Sequence, residues 1–527
     1  MKILEYNVTK KNWRSKQIKF VLCYPNKYRV GLSCLAIHLL YEILNANNDI
    51  LCERAFYDPN LPILSIESKK SLNSFDIIGF SLQYELDYVN LVKMLLASNI
   101  SPLVNERGER GPIICLGGPA ITANPEPLAH FADVIFVGEI EEVIDQFISV
   151  LLEYQGKKKT EVLDALSKIT GVYIPSFNNK VKRAWVNELD KAYHSVRQII
   201  PLVSSKSYFY PVLGRSFLLE ISRGCALGCR FCLEGYNYLP MRFRSIENIL
   251  KIINQGLKYT GVNNFIIIGS AAFLHPNIKD LLKYLRDEKC SFSMPSLRLD
   301  FVDEDLLMLL KSGGQRTPVF APESTSDRLL NLISKRIKIE DLFEAVRMVK
   351  NVGFKNIKLY FMLGLPGETI DDVKSIISAT RKIADYGFLS PKSIRLSFSF
   401  FVPKANTPLQ WVRMEDPDSL KCKIKLIREE LCSDKRFDVR LPNIRESMIQ
   451  AFISRSGRDI AQVLIHVAKT GGRLLSWRNA EKVFNFSLKN YVTSHINLDS
   501  KLPWEHIDIG YSRSILLSEY RKASIHM

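Results

Sequence analysis

Cys225, Cys229 and Cys232 form a C-x3-C-x2-C group in the stretch Arg223 to Glu234, with Gly224, Gly228 and Phe231 between and beside them. Thiolates are the ligands that iron–sulfur clusters use, and a loop this short can turn three sulfurs toward one cluster. Three protein ligands on a cube of four irons leave one iron open to a substrate or cofactor, which points to chemistry rather than electron storage. A zinc knuckle is the competing reading. Zinc prefers four ligands in C-x2-C pairs, and no His or Cys follows Cys232 until His275.

The elements that must position this loop are strands. Phe217 to Ser222 is an apolar run leading straight into the cysteines. It opens a series of strand-like runs at Phe265–Gly269, Ser291–Met294, Pro318–Ala321, Ile357–Leu363 and Ile394–Phe400, with helical patterns between them. Such alternation predicts a (β/α)6 barrel, closed or opened, over 211–411, with function at the carboxyl ends of its strands. Upstream, residues 1–155 alternate the runs Gln17–Cys23, Phe75–Leu82, Pro112–Leu116 and Asp133–Val137 with helical stretches. That pattern predicts a doubly wound parallel sheet. Ligands of such sheets sit beyond the strand ends, where Ser81, Gln83, Gly117, Gly118, Pro119, Gly138 and Glu139 fall. Residues 156–210 read as a connector. Residues 412–527 read as a mainly helical segment whose aromatics pack against the barrel.

At 527 residues the chain is long for a single core, and 46% hydrophobic with 24% charged residues is ordinary globular composition. No apolar run is long enough to span a bilayer, and the stretch Met1 to Phe20 is polar and lysine-bearing without a signal-like core. Ten cysteines at irregular positions fit free thiols in a reducing cytoplasm better than a disulfide framework. The net charge of +17 raises RNA binding, but the lysines are scattered and the only tight run is Lys157 to Lys159.

The cysteine group, with an aromatic before its last Cys, resembles the signature of radical S-adenosylmethionine enzymes. That resemblance implies a 4Fe-4S cluster whose open iron chelates the methionine part of the cofactor. One electron then cleaves a carbon–sulfur bond to give a 5′-deoxyadenosyl radical. Further matches follow in the family's order. Gly269-Ser270-Ala271 stands where most members carry Gly-Gly-Glu to receive the methionine amine, a departure that leaves Ser270 and backbone carbonyls for that task. Arg298 follows the third strand and could pair with the methionine carboxylate. Glu323 and Ser324 resemble the ribose-binding position, and Arg336, in Ser334-Lys335-Arg336, stands in the place of a cofactor-holding basic residue. Gly364-Leu365-Pro366-Gly367-Glu368-Thr369 resembles the element that closes over the adenine, with Glu368 and Thr369 expected to cap the helix starting at Ile370.

The amino-terminal region resembles the cobalamin-binding-type domain that precedes many such barrels, through Gly117-Gly118-Pro119, Asn124-Pro125-Glu126 and Gly138-Glu139-x-Glu141. The D-x-H-x-x-G motif of the better-known cobalamin fold is absent. The resemblance implies a cobalamin-dependent transferase that moves a methyl group to an unactivated carbon. It also implies a reducing electron donor such as flavodoxin or ferredoxin. Three other readings remain. One is a cobalamin-independent radical enzyme catalysing a rearrangement, a cyclisation or a tRNA modification. Another is a methylthiotransferase with a second cluster on Cys23, Cys34, Cys52 and Cys115. The third is an RNA-binding protein with a structural cluster.

Overall fold

The computed structural model describes residues 3–527, so the first two residues of the polar amino-terminal stretch lie outside it. A six-stranded sheet opens the fold: β1 (Ile18–Tyr24), β2 (Ile50–Phe56), β3 (Ile77–Ser81), β4 (Ile113–Gly117), β5 (Val134–Phe136) and β6 (Val172–Tyr173). Its spatial order is β2-β1-β3-β4-β5-β6, parallel throughout except that β6 runs antiparallel to β5. Along β1 the period of two sends Val21 and Cys23 into one core and Ile18, Phe20 and Leu22 into another. Helices α1 (Leu35–Ala46), α2 (Tyr88–Ala97) and α3 (Ile144–Glu153) supply much of that cover.

Strand β2 is absent from the sequence reading because its centre, Glu53-Arg54, looks like solvent-facing chain. Both residues are buried. Arg54 is neutralised by Glu5 at 2.7 Å and Glu67 at 2.7 Å, which is what allows a guanidinium inside the sheet. The helical stretch after β1 is two pieces, Tyr28–Gly31 and α1. Residues 156–210 do more than connect. They add β6 to the first sheet, and Val181–Lys182 pairs in parallel with Ile507–Asp508 from the far end of the chain.

The second unit carries the strands β7 (Phe217–Glu220), β8 (Asn264–Ile268), β9 (Ser291–Ser293), β10 (Val319–Glu323), β11 (Ile357–Leu363) and β12 (Ile394–Phe400). Every pairing among them is parallel, and a bridge between Leu297 and Phe320 joins the first three to the rest. The helices between them include α4 (Ile246–Thr260), α5 (Ile278–Asp287), α6 (Glu304–Ser312), α7 (Ile339–Asn351) and α8 (Ile370–Asp385). The sequence reading stops at six strands. A seventh, β13 (Phe437–Arg440), continues in parallel on β12. Two of its four residues are charged and only Phe437 is buried, so no apolar run announces it.

The carboxy-terminal helices are α9 (Pro417–Leu431), α10 (Ile444–Arg455), α11 (Ala461–Lys469) and α12 (Arg513–Ser524). Val463, Leu464, Val467 and Ala468 of α11 join the same core as Val89, Leu91, Val92 and Leu95 of α2, so the chain's last part fastens its first part to the barrel. No helix is long and apolar enough to cross a membrane among the described residues.

Two buried histidines help to seal these contacts. His38 Nδ1 accepts from the Ile199 amide at 3.0 Å, and burial pulls its imidazole down to about 4. His194 Nε2 accepts from the Glu220 amide at 3.1 Å, and burial, reinforced by Arg244, pulls it down to about 3. Both stay neutral when folded and take up a proton near 6.5 when unfolded. The unfolded chain therefore binds more protons below that value, and stability is lost as pH falls from 6.5 toward the folded values. Each histidine is expected to cost about 1.4 kcal/mol per pH unit in that window. Denaturant midpoints at about pH 7.5 and about pH 5 read this directly, and a flat profile contradicts it.

Candidate functional site

The cysteine loop leaves β7, forms one short strand with its return (Ser222–Arg223 on Arg242–Phe243), and places all three thiols in half-buried positions. Gly224 has φ 81°, and a Cβ there would lie 2.3 Å from the Tyr238 carbonyl, so the turn into Cys225 needs glycine. Arg230, between the second and third cysteines, holds the loop from behind. Its amide donates to the Ile333 carbonyl at 2.9 Å, and its guanidinium donates to the Asn331 and Leu332 carbonyls and to Glu519. Nothing in the sequence pattern separates Arg230 from an ordinary surface arginine.

The ends of β8 to β11 bring the remaining residues to the same mouth. Glu323 ends β10 with φ 67°, and a register shift after Phe320 re-aims this strand end. Burial pushes its carboxyl up, and Lys335 at 3.3 Å opposes that shift. Lys335, rather than Arg336, is therefore the basic residue turned to the site. Arg336 is exposed and contributes its backbone carbonyl, which accepts from Arg298 Nη2 at 3.2 Å. Arg298 is buried and bound to Asp300 through Nε at 2.6 Å, while its Nη1 makes no hydrogen bond among the described residues. Ser324 is buried, and its hydroxyl accepts from the Ser326 amide at 3.2 Å, so it shapes the turn.

Ser270 is exposed at the mouth and donates to Glu234 Oε2 at 3.0 Å. Glu234, two residues beyond Cys232, thus puts a carboxylate beside the position where this chain lacks one after β8. The sequence reading missed it because the two residues are 36 apart in the chain. Phe231 is half-buried against the main core, and Gly269 packs against Ser222.

In the loop after β11, Gly364 donates to Glu368 Oε2 at 2.7 Å, and the same carboxylate takes Lys423 of α9 at 2.8 Å. Glu368 thus holds the loop closed. It does not cap α8, whose cap is Thr369 with Asp372. Leu365 is buried and Pro366 half-buried in that loop.

Burial raises all three thiols, Cys232 to about 12. The charges of Arg298 and Lys335 act against that rise at Cys225 and Cys229. A metal centre bound there would take the thiols as thiolates. Three thiols, one arginine with a free Nη1 and two carboxylates ring a single mouth. This donor set fits an iron–sulfur cluster bearing an amino-acid chelate.

Where the first sheet meets this mouth, the expected strand-end residues divide. Glu139 is buried and fully engaged. It takes Arg242 at 2.7 Å, Arg223 at 2.9 Å and the Val186 amide at 2.9 Å. A Cβ on Gly138 would lie 2.0 Å from the Ala184 carbonyl, so that glycine closes the connector onto the sheet. Gly118 is pressed against the Leu82 carbonyl in the same manner. Ser81 is buried and takes the Gln83 amide group at 3.1 Å, while Gln83, Gly117, Gly118 and Pro119 keep partly exposed surface. Glu139 is thus spent on holding the sheet to the second unit and Gly138 on closing the connector, and the other five stay at the strand ends. A second cluster is not built on the remaining cysteines. Cys23 enters one core, whereas Cys52 and Cys115 enter the one on the opposite face of the sheet.

A parallel half-barrel with three thiols and the charged side chains of Glu234, Arg298, Glu323 and Lys335 beside its strand ends is the arrangement of an iron–sulfur enzyme of radical type. Two family models agree. The model for the radical SAM superfamily matches residues 219–379, and that for the amino-terminal region of radical SAM proteins matches residues 36–175. An uncharacterised protein of Methanocaldococcus jannaschii is 32% identical over 85% of this chain and 91% of its own length. An uncharacterised methyltransferase of Pyrococcus horikoshii is 23% identical over 58% of this chain and 64% of its own length. Among solved structures, the radical S-adenosylmethionine methyltransferase TsrM from Kitasatospora setae, with cobalamin and a [4Fe-4S] cluster bound, shares the fold. Its TM-score is 0.56 at 14% identity, covering 89% of this chain and 98% of that one. The chain belongs to the radical S-adenosylmethionine superfamily.

Proposed function

We propose that this protein is a cobalamin-dependent radical S-adenosylmethionine methyltransferase acting on an unactivated carbon. The observation that carries the reading is the contact of the first sheet's strand ends with the cysteine loop, where Asn237, five residues beyond Cys232, donates to the Pro119 carbonyl at 3.0 Å. Cobalamin is assigned here to Ser81, Gln83, Gly117, Gly118 and Pro119. The fold shared along nearly its whole length with a methyltransferase that binds both groups supports it. When bound, the cluster supplies an electron to the cofactor's carbon–sulfur bond and cobalamin carries the methyl group.

The chain's own residues do the holding. Arg298 Nη1 takes the methionine carboxylate, Glu323 takes the ribose hydroxyls, and the loop Gly364 to Pro366 backs the adenine. Glu234 takes the ammonium, because it is the mouth carboxylate without a cationic partner within ion-pair distance among the described residues. Below them β11 and β12 turn Tyr360, Ser397 and Ser399 away from the buried Leu359, Phe361, Leu396 and Phe398, so the substrate meets a polar wall. A reducing protein partner and a reducing cytoplasm complete the reading.

Anaerobic purification with cluster reconstitution and added hydroxocobalamin, followed by a visible spectrum and mass spectrometry, tests it. Cobalamin retained one-to-one beside the cluster is the expected result. A cluster without cobalamin would turn the search to cobalamin-independent radical chemistry. In the same preparation, Glu234→Ala is expected to weaken S-adenosylmethionine binding about 10-fold or more. Methylthioadenosine, which lacks the amino-acid part, should bind both forms equally. Equal losses for the two ligands would remove Glu234 from this role.

A further inference from the structure

The mouth is filled by cofactor and substrate during turnover, so an electron must reach the cluster from another side. Behind the cysteine loop lies a pair of packed tyrosines. Tyr236 is buried in the short helix Glu234–Asn237 that follows Cys232 directly, its amide donating to the Leu233 carbonyl at 3.1 Å. Its ring meets that of Tyr511 edge-on, centroids 5.7 Å apart. Tyr511 in turn lines a surface cavity of about 520 Å³, with Lys180, Lys182, Trp504, His506 and Arg513 also in its wall. Arg183 ties cavity and loop into one body. It donates to the Ile509 carbonyl at 3.0 Å on one side and to the Asn237 carbonyl at 2.8 Å on the other.

The rim of this cavity is positive. Lys180 and Lys182 are exposed, and neither has a carboxylate within ion-pair distance among the described residues. Lys501 adds a third cation near His506. Of the acids present, Glu505 pairs with Arg513, and Asp508, which accepts from the Gly510 amide at 2.9 Å, stays without a cationic partner among the described residues, so Lys180, Lys182 and Lys501 outnumber the one unpaired carboxylate.

We infer that this face docks a small acidic one-electron carrier protein of the flavodoxin kind, which reduces the cluster across Tyr511 and Tyr236. The step moves one electron: the carrier's flavin hydroquinone becomes the semiquinone, the cluster gains the electron, and no bond or proton in the enzyme changes. Unpaired lysines beside this aromatic pair attract an acidic partner and orient it before contact. The inference rests on the cluster, and not on methyl transfer.

The test uses the reconstituted holoenzyme and follows cluster bleaching by stopped flow. With flavodoxin hydroquinone at low ionic strength, Lys180→Glu/Lys182→Glu is expected to slow the second-order rate about 10-fold or more. Photoreduced deazaflavin, small and uncharged, should reduce the variant and the unaltered enzyme equally. The flavodoxin rate of the unaltered enzyme should also fall more steeply with salt than that of the variant. A control, Lys251→Glu/Lys258→Glu on the exposed side of α4, should match the unaltered enzyme. The docking face is overturned by an unchanged flavodoxin rate, by equal losses with both reductants, by a control that loses as much, or by failure of flavodoxin to reduce the unaltered enzyme. A preparation without cluster absorbance would instead sink the cluster reading itself.

Discussion

Replacing Cys225, Cys229 and Cys232 together by alanine is expected to remove the bound iron and sulfide, the cluster's colour, and all reductive cleavage of S-adenosylmethionine. Among the described residues these are the three thiols of that mouth, and thiolate is the ligand an iron–sulfur cluster uses. The fold should survive. Arg230 pins the loop through the Asn331, Leu332 and Ile333 carbonyls, and those bonds are independent of the thiols. Thermal midpoints measured without metal should therefore move by no more than a few degrees, since the change amounts to about 1 kcal/mol in a chain of this size. Single alanine variants should lose cleavage nearly as fully, because a cluster with two protein ligands is not retained under purification. Persistent deoxyadenosine formation in the triple variant would overthrow the assignment of the whole site.

Much of this was legible because the residues concerned lie in or beside apolar strands. The cysteine group, Glu323 and Gly364 to Pro366 each follow a strand with a clear apolar run, Arg298 follows the short Ser291–Ser293, and parallel strands deliver their ends to one side. What was not legible depends on contacts between distant segments. Glu234 and Ser270 meet across the mouth, Lys423 reaches the loop after β11 from α9, and Glu139 turns inward to arginines more than 80 residues away. A charged residue carries no periodic signal that says whether its partner is water or another side chain. Arg54 at the centre of β2 and the four residues of β13 make the same point for the fold: buried or edge strands with charges do not look like strands. Lys335 and Arg336 show the limit at its sharpest. They are adjacent, chemically alike, and only the backbone turn at Ser334 (φ 54°) decides which one faces Glu323.

Glu139→Gln is expected to be among the most destabilising single changes on the surface where the two units meet. The carboxylate is 4% exposed and joins a closed set of charges. Arg242 and Arg223 bind Glu139, Arg223 also binds Glu141 at 2.8 Å and Glu220 at 2.8 Å, and Arg244 binds Glu220 at 3.2 Å. Three guanidinium groups are thus balanced by three carboxylates, and burial that would otherwise raise Glu220 is overcome until it sits at about 2. Neutralising one member leaves a buried positive charge without its partner, which costs about 3–5 kcal/mol. The Val186 amide keeps an acceptor in the glutamine variant, while the new NH2 group replaces one of the two oxygens that accept from Arg242, so the loss combines the charge with one hydrogen bond. Glu142→Gln, at an exposed neighbour, should change stability by less than about 0.5 kcal/mol. The effect should also reach the chemistry, because Arg223 stands two residues before Cys225 and fixes where the loop begins. Iron retained per chain after desalting should therefore fall in Glu139→Gln and not in Glu142→Gln, alongside the shift in denaturant midpoint. A stability loss below about 1 kcal/mol would mean that water reaches this junction and that the charge set is not what joins the sheet to the barrel.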